Sequence, residues 1–368
     1  MIKILIVEDS LTETLMLKSI IEVEPDMQVI GHARNGQEAV SMCASLKPDL
    51  ITMDIEMPVL DGIDATRLIM TQTPIPVVVL SSTVNDKSLN ATFKALEAGA
   101  VSVLQKPEQI TAPDFVLKRK AMIDTLRSMA EIKVIKRRFN VKKQLSPPTP
   151  LQLSVKATRY EIIALGVSIG GPQVLNFILQ KLPANFPLPV VIVQHMSVGF
   201  IQGFAKWLDE NIAMHVKLAR QNEIFQAGTV YFAPDNTHLA VVREGTHLKA
   251  NLVSSAAVSG FRPSATVLLE SVAKVSGQHA VGGLLTGMGN DGAVGLLAVK
   301  NHHGTTFIQD PDSAVVFGMA GVAQSLGAVE QVVKLDDIAG YLLQLISRSP
   351  LDRSPSLKKG GGIIKGRF

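Results

Sequence analysis

The chain has 368 residues, 46% of them hydrophobic, and its 36 basic and 32 acidic side chains leave a formal net charge of +4. That length exceeds one typical domain, and that apolar content is ample for two buried cores. The mild charge, the single cysteine and the shortness of every apolar run exclude internal disulfides and membrane insertion, and give nucleic-acid binding no footing.

The opening stretch Met1-Ile2-Lys3-Ile4-Leu5-Ile6-Val7 enters a strand directly, without a signal-peptide layout. With one cysteine, this predicts a cytoplasmic protein. Across residues 1–122, short apolar runs at 3–7, 27–31, 50–53, 77–80 and 101–104 alternate with amphipathic stretches such as 36–46 and 87–98. Alternation of this kind predicts an α/β domain with a doubly wound parallel sheet and reactive groups at the strands' carboxyl ends. Cys43 falls on an apolar helix position, which suits core packing rather than reactivity.

Three predicted strand ends carry matching chemistry: Glu8 and Asp9 after the first, Asp54 after the third, Lys106 after the fifth. Carboxylates converging at neighbouring strand ends repel one another and call for a divalent cation. Mg²⁺, hard and oxygen-seeking, is the natural choice. Asp54 stands where a carboxylate can attack a phosphoryl donor; Lys106 would neutralise the phosphoryl oxygens and Ser81 would hydrogen-bond to them. Taken singly, each is an ordinary cap or loop residue. In this order, they make residues 1–122 resemble a two-component receiver domain of flavodoxin-like fold. The resemblance implies phosphorylation of Asp54, metal binding by Glu8, Asp9 and Asp54, and signal transmission by Ser81 and Lys106.

Residues 123–157 read as a linker: Lys133, Lys136, Arg137, Arg138, Lys142 and Lys143 precede Ser146-Pro147-Pro148-Thr149-Pro150. A solvated connector accounts for the basic run, with contact to an acidic partner as the alternative. A second α/β pattern occupies 158–346, with strands near 162–166, 190–194, 230–233, 238–242 and 280–285. Residues 347–368, with Gly360-Gly361-Gly362 and scattered lysines, read as a disordered tail.

In the second domain, Gly166-Val167-Ser168-Ile169-Gly170-Gly171 joins an apolar run to an amphipathic one. Strand, glycine turn and helix place a serine hydroxyl above a strand end and aim helix-start N–H groups at whatever it attacks. Such a serine is either an acyl-transfer nucleophile or a plain helix cap. His195 and Asp291 also follow predicted strands, which makes Ser168, His195 and Asp291 candidates for nucleophile, base and orienting acid. The other histidines lack metal-ligand spacing. Their order, Ser-His-Asp, differs from the Ser-Asp-His of α/β-hydrolases.

These stretches, with Gln194-His195-Met196, Phe232-Ala233-Pro234, Phe261-Arg262-Pro263-Ser264 and residues 286–292, resemble the catalytic domain of the chemotaxis protein-glutamate methylesterase family, which a receiver domain also precedes. The resemblance covers residues 1–345. It implies a Rossmann-like catalytic domain that hydrolyses glutamate methyl esters on methyl-accepting chemoreceptors and can deamidate receptor glutamines, with no cofactor for hydrolysis. It further implies Ser168, His195 and Asp291 as triad, the Met288 backbone N–H in the oxyanion hole, and a chemotaxis histidine kinase as phosphodonor. It also implies that the unphosphorylated receiver covers the substrate groove. Three departures stand out: Ile169 replaces the family's usual threonine, Ala320-Gly321 replaces Pro-Arg beside the expected groove, and Ser197 replaces a proline. An adaptor that binds without turnover is the rival of another class; a transcription factor would need a basic recognition helix that the second half lacks.

Overall fold

The computed structural model describes residues 1–81, 86–106, 115–132 and 158–347. The basic run at 133–143, the proline cluster and the tail from 348 lie outside the described residues.

The N-terminal half runs β1 (Ile2–Val7), α1 (Leu11–Ile21), β2 (Met27–Ala33), α2 (Gly36–Leu46), β3 (Leu50–Asp54) and α3 (Gly62–Gln72). It continues with β4 (Val77–Ser81), α4 (Asp86–Ala98), β5 (Ser102–Gln105) and α5 (Phe115–Ala130). Its five strands are parallel in the order β2-β1-β3-β4-β5, the flavodoxin-like order expected. Helices cover both faces, so β1, β3 and β4 are nearly unbroken apolar runs rather than alternating ones. Side chains of Ser10, Asn35 and Asp61 accept from backbone N–H groups in the first turns of α1, α2 and α3 and fix where those helices begin. Cys43 is fully buried, and that burial pushes its thiol up to about 12. The domain does not end at residue 122. Helix α5 continues to Ala130 because Leu126 and Met129 are completely buried against the receiver core.

The second half contains β6 (Ile162–Val167), α6 (Gly171–Leu179), β7 (Val190–Gln194), α7 (Phe200–Asn211), β8 (His215–Leu218) and β9 (Thr229–Phe232). Then follow β10 (His238–Glu244), β11 (His247–Val253), α8 (Ala265–Ser276), β12 (Ala280–Leu284) and α9 (Ala293–Asn301). Last come β13 (Thr305–Gln309), α10 (Met319–Ser325), β14 (Gln331–Val333) and α11 (Leu335–Ser347). Seven parallel strands form one sheet in the order β14-β13-β12-β6-β7-β9-β8. The chain leaves β6 in one direction to β7 and later returns to β12 on its other side, so the winding reverses between β6 and β12. A crevice opens at such a reversal, beyond the strands' carboxyl ends. The apolar run at 238–242 is a strand but not part of this sheet: β10 pairs antiparallel with β11 in a separate hairpin.

The two halves share an apolar boundary. Phe93 of α4 lies 5.4 Å from the Phe204 ring and 5.7 Å from the Trp207 ring, both on α7. Gln173 of α6 donates to the backbone carbonyls of Leu96 (3.3 Å) and Ala100. Among the described residues, no helix is long and apolar enough to cross a membrane. Phe93 is almost wholly buried, so Phe93→Ala should cost about 3–5 kcal/mol and lower the first thermal transition in calorimetry. An unchanged thermogram would show that this ring does not cement the boundary.

Candidate active site and phosphoacceptor site

Ser168 directly follows β6, and His195 directly follows the neighbouring β7. Val167 and Gln194 are register partners, and the His195 N–H donates to the Val167 carbonyl at 2.9 Å. Ser168 and His195 therefore stand side by side. Gly170 turns the chain into α6 with a φ of 75°, a left-handed conformation that favours glycine. From across the switch point comes the segment after β12. Gly287 passes so close to Ser168 that a Cβ on it would meet the Ser168 Cβ at 2.7 Å.

Asp291 reaches the site from the loop before α9 and is fully buried. His195 Nε2 lies 2.9 Å from its Oδ2. Three further donors converge on the same carboxylate: the Ser264 hydroxyl at 2.6 Å, the Ala265 N–H at 2.7 Å and the Thr266 N–H at 3.2 Å. The last two are first-turn amides of α8, so the anion also sits at the positive end of a helix dipole. Burial alone would raise this carboxyl, but the bonds from His195, Ser264 and Ala265 outweigh it and hold the group at about 2. With Nε2 committed to Asp291, the other ring nitrogen, Nδ1, is buried and has no hydrogen-bond partner among the described residues. It is the nitrogen left for a neighbouring hydroxyl. The Ser168 hydroxyl makes no hydrogen bond among the described residues.

The surrounding residues lock this frame. Gln194 donates through Nε2 to the Ser168 and His195 carbonyls, each at 2.8 Å. The Thr286 hydroxyl donates to the Ile169 carbonyl at 2.8 Å and accepts the Val316 N–H at 3.0 Å. Gly318 and Met319 N–H groups bond the Gly287 carbonyl, both at 3.0 Å, and steady the approach to Met288. Among the described residues, the backbone N–H groups of Ile169 and Met288 donate to no protein acceptor. Both segments border Ser168, as an oxyanion site requires.

A cavity of about 560 Å³ opens over Ser168 and His195, and the receiver's Val101, Leu104, Ala121 and Asp124 line its opposite wall. Ile169 packs against the receiver's apolar cluster that contains Val101, Leu104 and Met122. Met288 is 42% exposed, and its sulfur accepts a hydrogen bond from Ser128 of α5 at 2.7 Å. The expectation for Ala320-Gly321 does not hold. Ala320 is completely buried in the catalytic core, on α10, and neither residue lines the cavity. There α10 packs against α9 and β12.

In the receiver, one carboxylate oxygen from each of Glu8, Asp9 and Asp54 lies within 4.8 Å of the others, a hard donor set that fits a divalent cation. Buried Lys106 joins them through Nζ, 2.6 Å from Glu8, 3.0 Å from Asp54 and 2.5 Å from Glu13, a carboxylate the sequence reading did not single out. Desolvation raises Glu8 to about 7 against the pull of Lys106, and it raises Asp54 as well. Burial acts to lower Lys106, but the attraction of Asp54, Glu13 and Glu8 prevails and holds its ammonium above the usual range. Ser81 ends β4, and its carbonyl accepts the Lys106 N–H at 2.9 Å.

This chain is thus a receiver joined to a second parallel-sheet domain in which a His195–Asp291 pair stands beside Ser168 at a topological switch point. It belongs to the CheB methylesterase family. The family model "CheB methylesterase" matches residues 163–342 and "Response regulator receiver domain" matches residues 4–113. A protein-glutamate methylesterase/protein-glutamine glutaminase of Methanospirillum hungatei is 42% identical over 95% of this chain and 100% of its own length. One from Myxococcus xanthus is 43% identical over 93% of this chain and 96% of its own. The crystal structure of the Thermotoga maritima CheB methylesterase catalytic domain is 34% identical, with a TM-score of 0.50, covering 51% of this chain and 99% of that one.

Because the folded Asp291 lies below its unfolded value, it favours folding at neutral pH, and that contribution disappears as pH falls from about 4 towards 2. Asp291→Asn should lower stability at pH 7, by on the order of 2 kcal/mol from the shift alone. In denaturant titrations the gap to wild type should narrow below pH 4. A gap independent of pH would show that the carboxylate's charge is not what counts.

Proposed function

We propose that this protein hydrolyses glutamate methyl esters on chemoreceptor cytoplasmic domains, releasing methanol, and deamidates receptor glutamines by the same route, under control of phosphorylation at Asp54. The observation that carries this reading is the buried Asp291–His195 pair beside Ser168, with a buried His195 Nδ1 that has no hydrogen-bond partner among the described residues. Its site of action is the cytoplasm, where a kinase and receptor tails are available.

The mechanism follows from the bonds. His195 Nδ1 takes the Ser168 proton as Oγ attacks the ester carbonyl, and Asp291 stabilises the imidazolium through Nε2–H. The oxyanion accepts from the Ile169 and Met288 amides. His195 returns the proton to the leaving group: to the methoxy oxygen of an ester, which departs as methanol, or, when a glutamine is cleaved, to the amide nitrogen, which departs as ammonia. Water, deprotonated by His195, then releases the glutamate carboxylate and restores Ser168. A backbone amide at position 169 makes the loss of the family's threonine hydroxyl tolerable. A pure adaptor has no use for a fourfold hydrogen-bonded buried carboxylate aimed at an imidazole.

For control, Asp54 accepts a phosphoryl group from a histidine kinase, with Glu8, Asp9 and Asp54 as the residues that would hold Mg²⁺. The bound ion supplies charge neutralisation for the phosphoryl oxygens. Phosphorylation adds about −1.5 to −2 charge and three acceptor oxygens. Lys106 is drawn from Glu13 and Glu8 towards them, Ser81 follows, and the α5–β5 wall over the crevice shifts. The receiver packing on Ile169 and lining the cavity supports occlusion as the resting state.

Methanol release from methylated receptors should fall to background in Ser168→Ala; persistence of wild-type turnover would reject Ser168 as nucleophile. In Asp54→Asn, the stimulation by a phosphoryl donor should drop to about onefold; full stimulation would remove Asp54 from the pathway. Ile169→Thr should raise the rate without donor by up to about tenfold, since each ~1.4 kcal/mol of lost docking shifts the open population tenfold. An unchanged basal rate would mean that Ile169 is not part of the latch.

A further inference from the structure

Phe261 lies flat on the His195 ring: the ring centroids are 3.9 Å apart and the planes differ by 1°. We infer that Phe261 is a positioning residue for the catalytic base, setting the imidazole plane so that Nδ1 meets the Ser168 hydroxyl in line. The inference rests on the triad reading above.

Among the described residues, His195 has one side-chain hydrogen bond, Nε2 to Asp291, and its Nδ1 has none. A single bond at the far corner of the ring fixes that corner but leaves the ring free to roll about the line from Cβ to Nε2. Rolling would swing Nδ1 away from the serine while keeping the aspartate bond intact. A flat aromatic neighbour opposes that motion, because any roll drives one ring edge into the other. Phe261 is itself held: its N–H donates to the Val258 carbonyl and its carbonyl accepts the Val258 N–H, both at 3.0 Å. Three residues on, Ser264 bonds Asp291. One short segment, 261–264, therefore sets both the plane of the base and the carboxylate at its edge.

The stack also has a charge-dependent part. The face of a phenyl ring is electron-rich and attracts a cation laid upon it. In the proposed mechanism His195 gains positive charge with the serine proton, so the attraction grows on the way to the tetrahedral intermediate. An interaction made in the transition state and not with bound substrate acts on kcat rather than on KM.

The test uses the full chain with a phosphoryl donor and methylated receptor as substrate, comparing Phe261→Leu, Phe261→Ala and Phe261→Tyr. Leu and Ala should lower kcat by roughly 10–100-fold, the scale of a misplaced reacting group, with KM within about threefold of wild type. Tyr, which restores the flat ring, should return kcat to within about threefold. Phe261 is only partly buried, so truncation leaves the core filled; Phe261→Met, bulky but without a ring, replaces Ala if Ala loses its fold. Two outcomes overturn the inference: a raised KM with unchanged kcat in Leu, which makes Phe261 a wall of the substrate groove, or a Tyr variant no better than Leu. Ser168→Ala measured in parallel separates the two levels. If it is inactive while Phe261→Leu keeps full kcat, the positioning role alone fails; if it stays active, the triad fails first.

Discussion

Everything at the catalytic end of this protein hangs on a carboxylate that has left water. An unpaired Asp291 would be expelled from its fully buried position or neutralised there. It stays charged because α8 offers its first amides, Ser264 its hydroxyl and His195 its ring N–H. The arrangement also works in reverse: the anion caps α8, so the helix packed on β6 and the base on β7 are tied to one atom pair. Losing the carboxylate would leave the first amides of α8 without an acceptor and His195 without the partner that fixes its tautomer.

The receiver repeats this logic with the signs exchanged. There the buried charge is an ammonium, Lys106, shared by Glu8, Glu13 and Asp54. In the proposed control, a phosphoryl group on Asp54 would compete for the same ammonium. The receiver meets the catalytic half across a boundary with two characters. At α4 and α7 it is aromatic and closely packed; at α5 it is a cavity wall touching Ile169 and Met288. The second region stands over Ser168, so the proposed shift of α5 would change access while leaving the Asp291–His195 pair in place.

Much of this was legible in the residues. Alternating apolar runs placed every receiver strand to within two residues, and the strand-end residues Glu8, Asp9, Asp54 and Lys106 do meet. Ser168, His195 and Asp291 also come together, since each follows a strand of one parallel sheet. What escaped reading depends on tertiary partners. Gln194 and Thr286 look like ordinary strand-end polar residues until their carbonyl acceptors are known. Apolar alternation identifies β10 as a strand but cannot name its partner, so the separate hairpin with β11 was invisible. Ile169 read as a lost hydroxyl and is a contact to the receiver; Ala320 read as groove and is core. Helix α5 outran its expected end because burial of Leu126 and Met129 outweighs the weak local periodicity there.

The central claim, that His195 poised by Asp291 activates Ser168, is most directly tested by a small serine-directed fluorophosphonate, which needs no receptor. Peptide mapping by mass spectrometry should find one adduct, on the peptide carrying Ser168, and should find it lost in His195→Gln. Equal labelling of Ser168 in wild type and His195→Gln, or an adduct confined to another serine, would contradict the account.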